Sequence, residues 1–266
     1  MEEQENKEVL VDDEMVLVKQ LRQQQQQMII AMKGHPGSGK STLARKIAST
    51  LRFPLIDKDD VRDCTAEAEA AFPDLHHHYH HHHHQQGQKE EETQALMMKM
   101  MNELSYEVIW RIAETQLDLG LSVVIDSPLS RRSHLDRLLQ LISSASSSSS
   151  SRSRVIRLVI IECRPQDEAE WYRRLENRGR AIAADAAAVH NNDDDDDDDH
   201  RRRTKASSSS HKPATWQELQ NLILTYDGCW DYDVGDVPKL VLDTTAPGTV
   251  GVRNLVSPVL HFLSSV

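Results

Sequence analysis

Residues Gly34-His35-Pro36-Gly37-Ser38-Gly39-Lys40-Ser41 have the spacing G-x-x-x-x-G-K-S. Glycines at those positions let the backbone turn tightly, so that successive N–H groups converge on a phosphate at a helix N-terminus. Lys40 can reach the β- and γ-phosphates, and the Ser41 hydroxyl can ligate Mg²⁺. The motif needs a strand before it and a helix after it. Met28-Ile29-Ile30-Ala31-Met32 is an apolar run of strand length, and Thr42-Leu43-Ala44-Arg45-Lys46-Ile47 has helical spacing. The loop Gly34–Ser41, with Thr42 beside it, is therefore expected to bind a nucleoside triphosphate.

Three further groups suit phosphoryl chemistry. Ile56-Asp57-Lys58-Asp59-Asp60-Val61-Arg62 follows a short apolar run, and a carboxylate there faces the γ-phosphate across a cleft. Asp59 is the residue expected to take a proton from an attacking hydroxyl; Asp60 reads as a solvated turn residue. Val123-Val124-Ile125-Asp126-Ser127-Pro128 has the form of a Walker-B strand, with Asp126 positioned for Mg²⁺. Arginines recur at Arg131, Arg132, Arg173, Arg174, Arg178 and Arg180. Guanidinium groups stabilise the charge spread over a transferring phosphoryl group. Of these, Arg174 and Arg178 are expected to reach phosphate; others balance Glu168, Glu170 and Glu176 along a helix.

The elements that must hold these groups alternate. Strands are expected at 28–32, 53–57, 121–126, 155–161 and 239–243, and helices at 89–119, 132–142, 166–178, 215–226 and 252–263. Thr215-Trp216-Gln217-Glu218 matches a capping box. Apolar strands alternating with helices predict an α/β fold with a five-stranded parallel sheet covered on both faces, and the phosphate loop makes it a three-layer P-loop NTPase. Right-handed crossovers place the strand C-termini and the phosphate loop along one edge.

Five biased tracts interrupt this framework: Gln23–Gln27, His76–His84 (broken by Tyr79), Ser146–Ser151, Asp193–Asp199 and Ser207–Ser210. None can bury enough apolar surface to offset its ordering entropy. The expected organisation is a flexible acidic, Gln-rich lead-in over 1–27 and one P-loop domain over 28–266, with disordered insertions near 74–90, 143–153 and 181–212. A homopolymeric histidine tract lacks the fixed ligand count and second shell of a dedicated metal site. The net charge is −11, but the aspartate tract carries seven of those charges and removing it leaves −4. The total thus excludes neither a small-molecule nor a polynucleotide substrate. Three widely spaced cysteines fit free thiols in a reducing compartment. With no secretory or transit signal and no run long enough to span a bilayer, a cytoplasmic location is expected, with the nucleus open to it.

The phosphate loop, the D-x-x-R element Asp59-Asp60-Val61-Arg62, Val124–Ser130 and Glu170-Trp171-Tyr172-Arg173-Arg174-Leu175-Glu176-Asn177-Arg178 together resemble the P-loop kinases grouped with zeta toxins, polynucleotide kinases and chloramphenicol phosphotransferases. His211–Trp216 and the helix after it look closer to a set of plant P-loop proteins. The resemblance spans roughly Met28 to Asp243. It implies a sheet of nucleoside-kinase type, ATP as phosphoryl donor with Mg²⁺, Asp59 as general base and Arg62 as its motif partner. It leaves the hydroxyl acceptor open: a small molecule is favoured, a polynucleotide end is also compatible. Transfer to water, as an ATPase, and nucleotide binding with little turnover are the competing readings.

Overall fold

The computed structural model describes residues 2–23, 26–65, 86–147, 155–189, 212–246 and 253–266. The histidine and aspartate tracts and Ser207–Ser210 lie outside them. Five strands form one sheet: β1 (Gln27–Lys33), β2 (Leu55–Asp57), β3 (Val123–Asp126), β4 (Ile156–Cys163) and β5 (Lys239–Leu242). Their order is β2-β3-β1-β4-β5 and every pairing is parallel, as the sequence predicts.

β1 is central, so both its faces are covered and all seven of its residues are buried. Its side chains alternate between two cores because successive strand residues point to opposite faces. Met28, Ile30 and Met32 join Leu43 and Ile47 of α2 (Lys40–Leu51) on one face, together with Val256, Val259 and Leu260 of α8 (Arg253–Ser265). Ile29 and Ala31 meet Ile109, Trp110 and Leu117 of α4 (Gln86–Asp118) and Leu135, Leu138 and Leu141 of α5 (Arg132–Ser147) on the other. This is the expected three-layer sandwich. Gly120, at φ 83°, closes the turn after α4 in the left-handed conformation that glycine adopts most easily.

Two stretches differ from expectation. Where a flexible lead-in was expected, α1 spans Glu2–Gln23. Leu21 is buried, Leu17 and Val18 pack on the same core, and Arg22 donates to the Leu51 carbonyl at the end of α2 (3.2 Å). Leu17, Val18 and Leu21 sit at i, i+1 and i+4, an apolar stripe obscured by the charged and glutamine-rich residues around it. Gln27, read as the end of a tract, begins β1 and donates to the Leu117 carbonyl (2.7 Å). The second difference is α6, Glu168–Val189, which outlasts its expected end at 178. Its added turns include Ala184 and Ala186–Ala188, and alanine is the strongest helix former. A short helix, α3, occupies 58–65 after β2, and α7 is Trp216–Thr225, with the capping box between Thr215 and Glu218 formed.

Candidate nucleotide and phosphoryl-transfer site

The loop after β1 turns at Gly37 (φ 75°) and Gly39 (φ 82°) and enters α2 at Lys40. Gly34 is required sterically as well: a Cβ there would lie 2.7 Å from Ser38 Oγ and 2.9 Å from the Cys163 carbonyl. Its amide donates to the Pro128 carbonyl (3.3 Å), tying the loop to the end of β3. Ser38 and Lys40 are buried and Ser41 half-buried, while Thr42 is exposed. The amides that open a helix thus border a glycine-shaped cradle, which favours an anion.

Lys40 Nζ forms an ion pair with Asp126 Oδ1 and lies 3.4 Å from Ser41 Oγ. Burial works against its charge, but Asp126 at contact, with Asp59 and Asp57 beyond, holds its pKa above the ordinary lysine value. Asp126 Oδ2 is buried and has no hydrogen-bond partner. An orphaned carboxylate oxygen beside a serine hydroxyl suits a hard cation, and Mg²⁺ takes such oxygens together with phosphate and water. Among the described residues no cluster of three or more His, Cys, Asp or Glu could hold a metal alone. Asp126 and Ser41 therefore fit Mg²⁺.

Parallel pairing sets Asp57 opposite Asp126. Asp57 accepts from the Asp59 amide (3.0 Å) and faces Arg45 at 3.2 Å. Burial, with the Asp126 charge second, pushes its pKa up to about 6; Arg45 is mostly exposed and too well screened to reverse that. Between about pH 4 and 6 the folded chain then holds a proton the unfolded chain has lost, so stability falls as pH rises through that window, by about 3 kcal/mol at most. Asp57→Asn should flatten that part of a melting-temperature-versus-pH curve.

Asp59 opens α3, half-buried, with Lys212 Nζ 3.0 Å from its Oδ2. Asp60 beside it is exposed. Arg62, one turn on, is buried and donates to Thr65 Oγ1 (3.3 Å). Lys212 belongs to a strap, 212–215, laid along α6. Arg178 Nη2 donates to the Pro213 carbonyl, the Trp216 amide donates to Glu176 (3.3 Å), and a Cβ on Gly179 would collide with the Ala214 carbonyl. Burial lowers the Arg178 pKa, and Asp59 followed by Glu218 partly restores it, so Arg178 lies within electrostatic range of Asp59. Arg174 donates to Glu170 (2.7 Å) and to the Thr244 carbonyl (2.9 Å), and its Nη1 would be 3.7 Å from a Cβ on Gly39. It overhangs the phosphate loop. The remaining arginines stay at the surface: Arg132 bridges Asp136 and the Asp233 carbonyl, Arg173 pairs with Glu170, and Arg131 and Arg180 are exposed.

Residues 29–194, more than half of the chain, match the family model described as "AAA domain". The chain belongs to that AAA-domain family. A search of the curated proteins finds no match. Among solved structures the AAA-domain chain is similar to a "putative kinase" from Chloroflexus aurantiacus J-10-fl, at 18% identity and TM-score 0.53, over 91% of this chain and 98% of that one. It is also similar to a gluconokinase from Sinorhizobium meliloti 1021 (14%, TM-score 0.45, 89% and 91% covered) and a sugar kinase from Janibacter sp. HTCC2649 (13%, 0.44, 90% and 98%). The first of these supports the fold. No helix among the described residues is long and apolar enough to cross a membrane.

Sequence reading missed the aromatic collar of this AAA domain. Trp171 Nε1 donates to the Pro36 carbonyl (2.9 Å) and lies where any Cβ on Gly37 would press. His35 stacks on Trp230 with centroids 3.6 Å apart, and Trp216 meets Trp171 edge-on at 5.3 Å. Lys33 sits 3.8 Å above the Trp230 ring and donates to its carbonyl (2.9 Å). Burial, then the Lys33 charge, lowers His35 to about 4, so the loop histidine is neutral near pH 7. The signal available was only a tryptophan at the start of a helix and another after a turn. Trp171→Phe keeps most of the packing but frees the Pro36 carbonyl, a loss of about 1 kcal/mol. It should weaken nucleotide binding about fivefold in calorimetry.

Proposed function

We propose that the chain is an ATP-dependent kinase that transfers the γ-phosphoryl group to a hydroxyl, on a small molecule in preference to a polynucleotide end. What supports this reading is the Asp59 carboxylate, half-buried at the start of the helix after β2, whose charge together with that of Asp126 acts on Lys40 of the phosphate loop. The AAA-domain family supports the nucleotide-binding half of the proposal. The likeness in sequence to zeta toxins, polynucleotide kinases and chloramphenicol phosphotransferases supports the transfer half.

In this mechanism the acceptor hydroxyl lies against Asp59 and gives it a proton as the oxygen attacks the γ-phosphorus in line, with ADP leaving. Lys40 neutralises charge between the β- and γ-phosphates, and Arg174 and Arg178 do so from α6. Ser41 and Asp126 would hold Mg²⁺, which supplies charge neutralisation on the phosphates when bound. The aromatic collar keeps the loop packed and partly screened from water.

Incubation of the full chain with γ-labelled ATP, Mg²⁺ and a metabolite extract tests the reading. Label is expected on a hydroxyl compound rather than as free phosphate. Release of free phosphate alone, at the same rate with and without extract, would instead support an ATPase.

A further inference from the structure

Lys58, between Asp57 and Asp59, is only 7% exposed. Its one recorded partner is the face of Tyr106, 5.2 Å away. No described carboxylate pairs with it; the adjacent Asp59 faces Lys212 at 3.0 Å. A buried ammonium without an ion pair is costly, and a ring face at that distance offsets little of the cost. Burial accordingly lowers the Lys58 pKa; the Asp59 charge opposes it, and Arg62, then Lys212 and Lys40, add to the lowering. Two other buried polar atoms of the candidate site also lack partners. His134, stacked on Tyr106 at 4.0 Å, has a buried Nδ1 with none, and Arg178 has a buried Nε with none. His134 is held neutral by burial, with Arg131 and Lys58 as the next causes. Asp59 thus has Lys212 against its carboxylate and, as its chain neighbour, a buried lysine that makes no ion pair with a described residue.

We infer that Lys58 and Lys212 form an anion-binding subsite beside Asp59, and that the acceptor is a hydroxyl compound carrying a phosphate or carboxylate held there. His134, stacked on the same tyrosine ring that Lys58 faces, has a neutral imidazole with a buried Nδ1 left unpartnered. The inference rests on the kinase reading in taking the ligand to be the acceptor. The anion gives Lys58 the counter-charge the fold lacks and draws Lys212 from Asp59, so the carboxylate is released to meet the hydroxyl as the acceptor arrives.

The full chain, with its phosphate loop saturated by a non-hydrolysable ATP analogue and Mg²⁺, is melted in inorganic phosphate, in acetate or in glycerol, at ionic strength matched with sodium chloride. At about ten times its Kd, phosphate or acetate should raise the melting temperature by about 3 °C, and glycerol should not. Which anion acts distinguishes a phosphorylated from a carboxylated acceptor. Lys58→Met, which keeps the buried stem, should abolish the shift, and Lys58→Arg should keep it. No shift with either anion in the unaltered chain, or an equal shift in Lys58→Met, overturns the subsite, and the first result needs no variant to fold. A Lys58-dependent shift without transfer to any hydroxyl compound would fail the kinase reading and leave the subsite standing. Transfer to neutral acceptors only would do the reverse.

Discussion

Asp59→Asn should lower phosphoryl transfer to the acceptor by about 10²- to 10⁴-fold, the usual contribution of a positioned general base. Asparagine has nearly the same shape and can still accept from Lys212, so the strap over α6 need not shift. What it cannot do is take the hydroxyl proton. The loss should fall on kcat, with ATP affinity in calorimetry changed less than threefold, because the P-loop contacts are made by other residues. A variant that retained transfer would remove Asp59 from the chemistry and turn attention to Asp57, whose pKa of about 6 suits a base near neutrality.

Lys40→Ala should have the other large effect, and on two measurements at once. Truncating a buried charge that contacts an anion costs about 2–5 kcal/mol, so nucleotide affinity should fall by about one and a half to three and a half powers of ten. The same change leaves Asp126 buried without its ion-pair partner, which should destabilise the chain by about 3–5 kcal/mol in urea unfolding. The two losses separate in a double variant. Adding Asp126→Asn to Lys40→Ala removes the stranded charge and should recover most of the stability, while nucleotide binding stays lost. If stability and binding recovered together, Lys40 would matter only as the partner of Asp126.

The parts of this site readable from sequence are those whose chemistry is local. Gly37 and Gly39 are demanded by backbone turns within one loop, and Asp126 ends a strand whose apolar run announces it. The five-stranded sheet was legible for the same reason, since its central strands β1, β3 and β4 are buried and written as mostly apolar runs. Lys212 was not legible, because its contact with Asp59 bridges residues far apart in the chain and depends on how the strap lies against α6. Nor was the collar: Trp171 and Trp230 have no period that sets them apart from core tryptophans. Lys58 looked like one more charge in a polar turn, and only its burial in the folded chain distinguishes it. α1 was hidden by composition, its three packing residues diluted among charges and glutamines.

The strand order carries a kinetic consequence. Both neighbours of β1 are made after it: β3 ends at Asp126 and β4 at Cys163. During synthesis the glycine loop must therefore wait for well over a hundred further residues before its flanks are paired, and for Trp171 before it is covered. Contacts so distant in sequence form slowly, because the intervening chain must first be looped. Nascent chains arrested before Cys163 should fail to retain nucleotide on the ribosome, and chains released beyond the end of β5 should acquire it in a single late step.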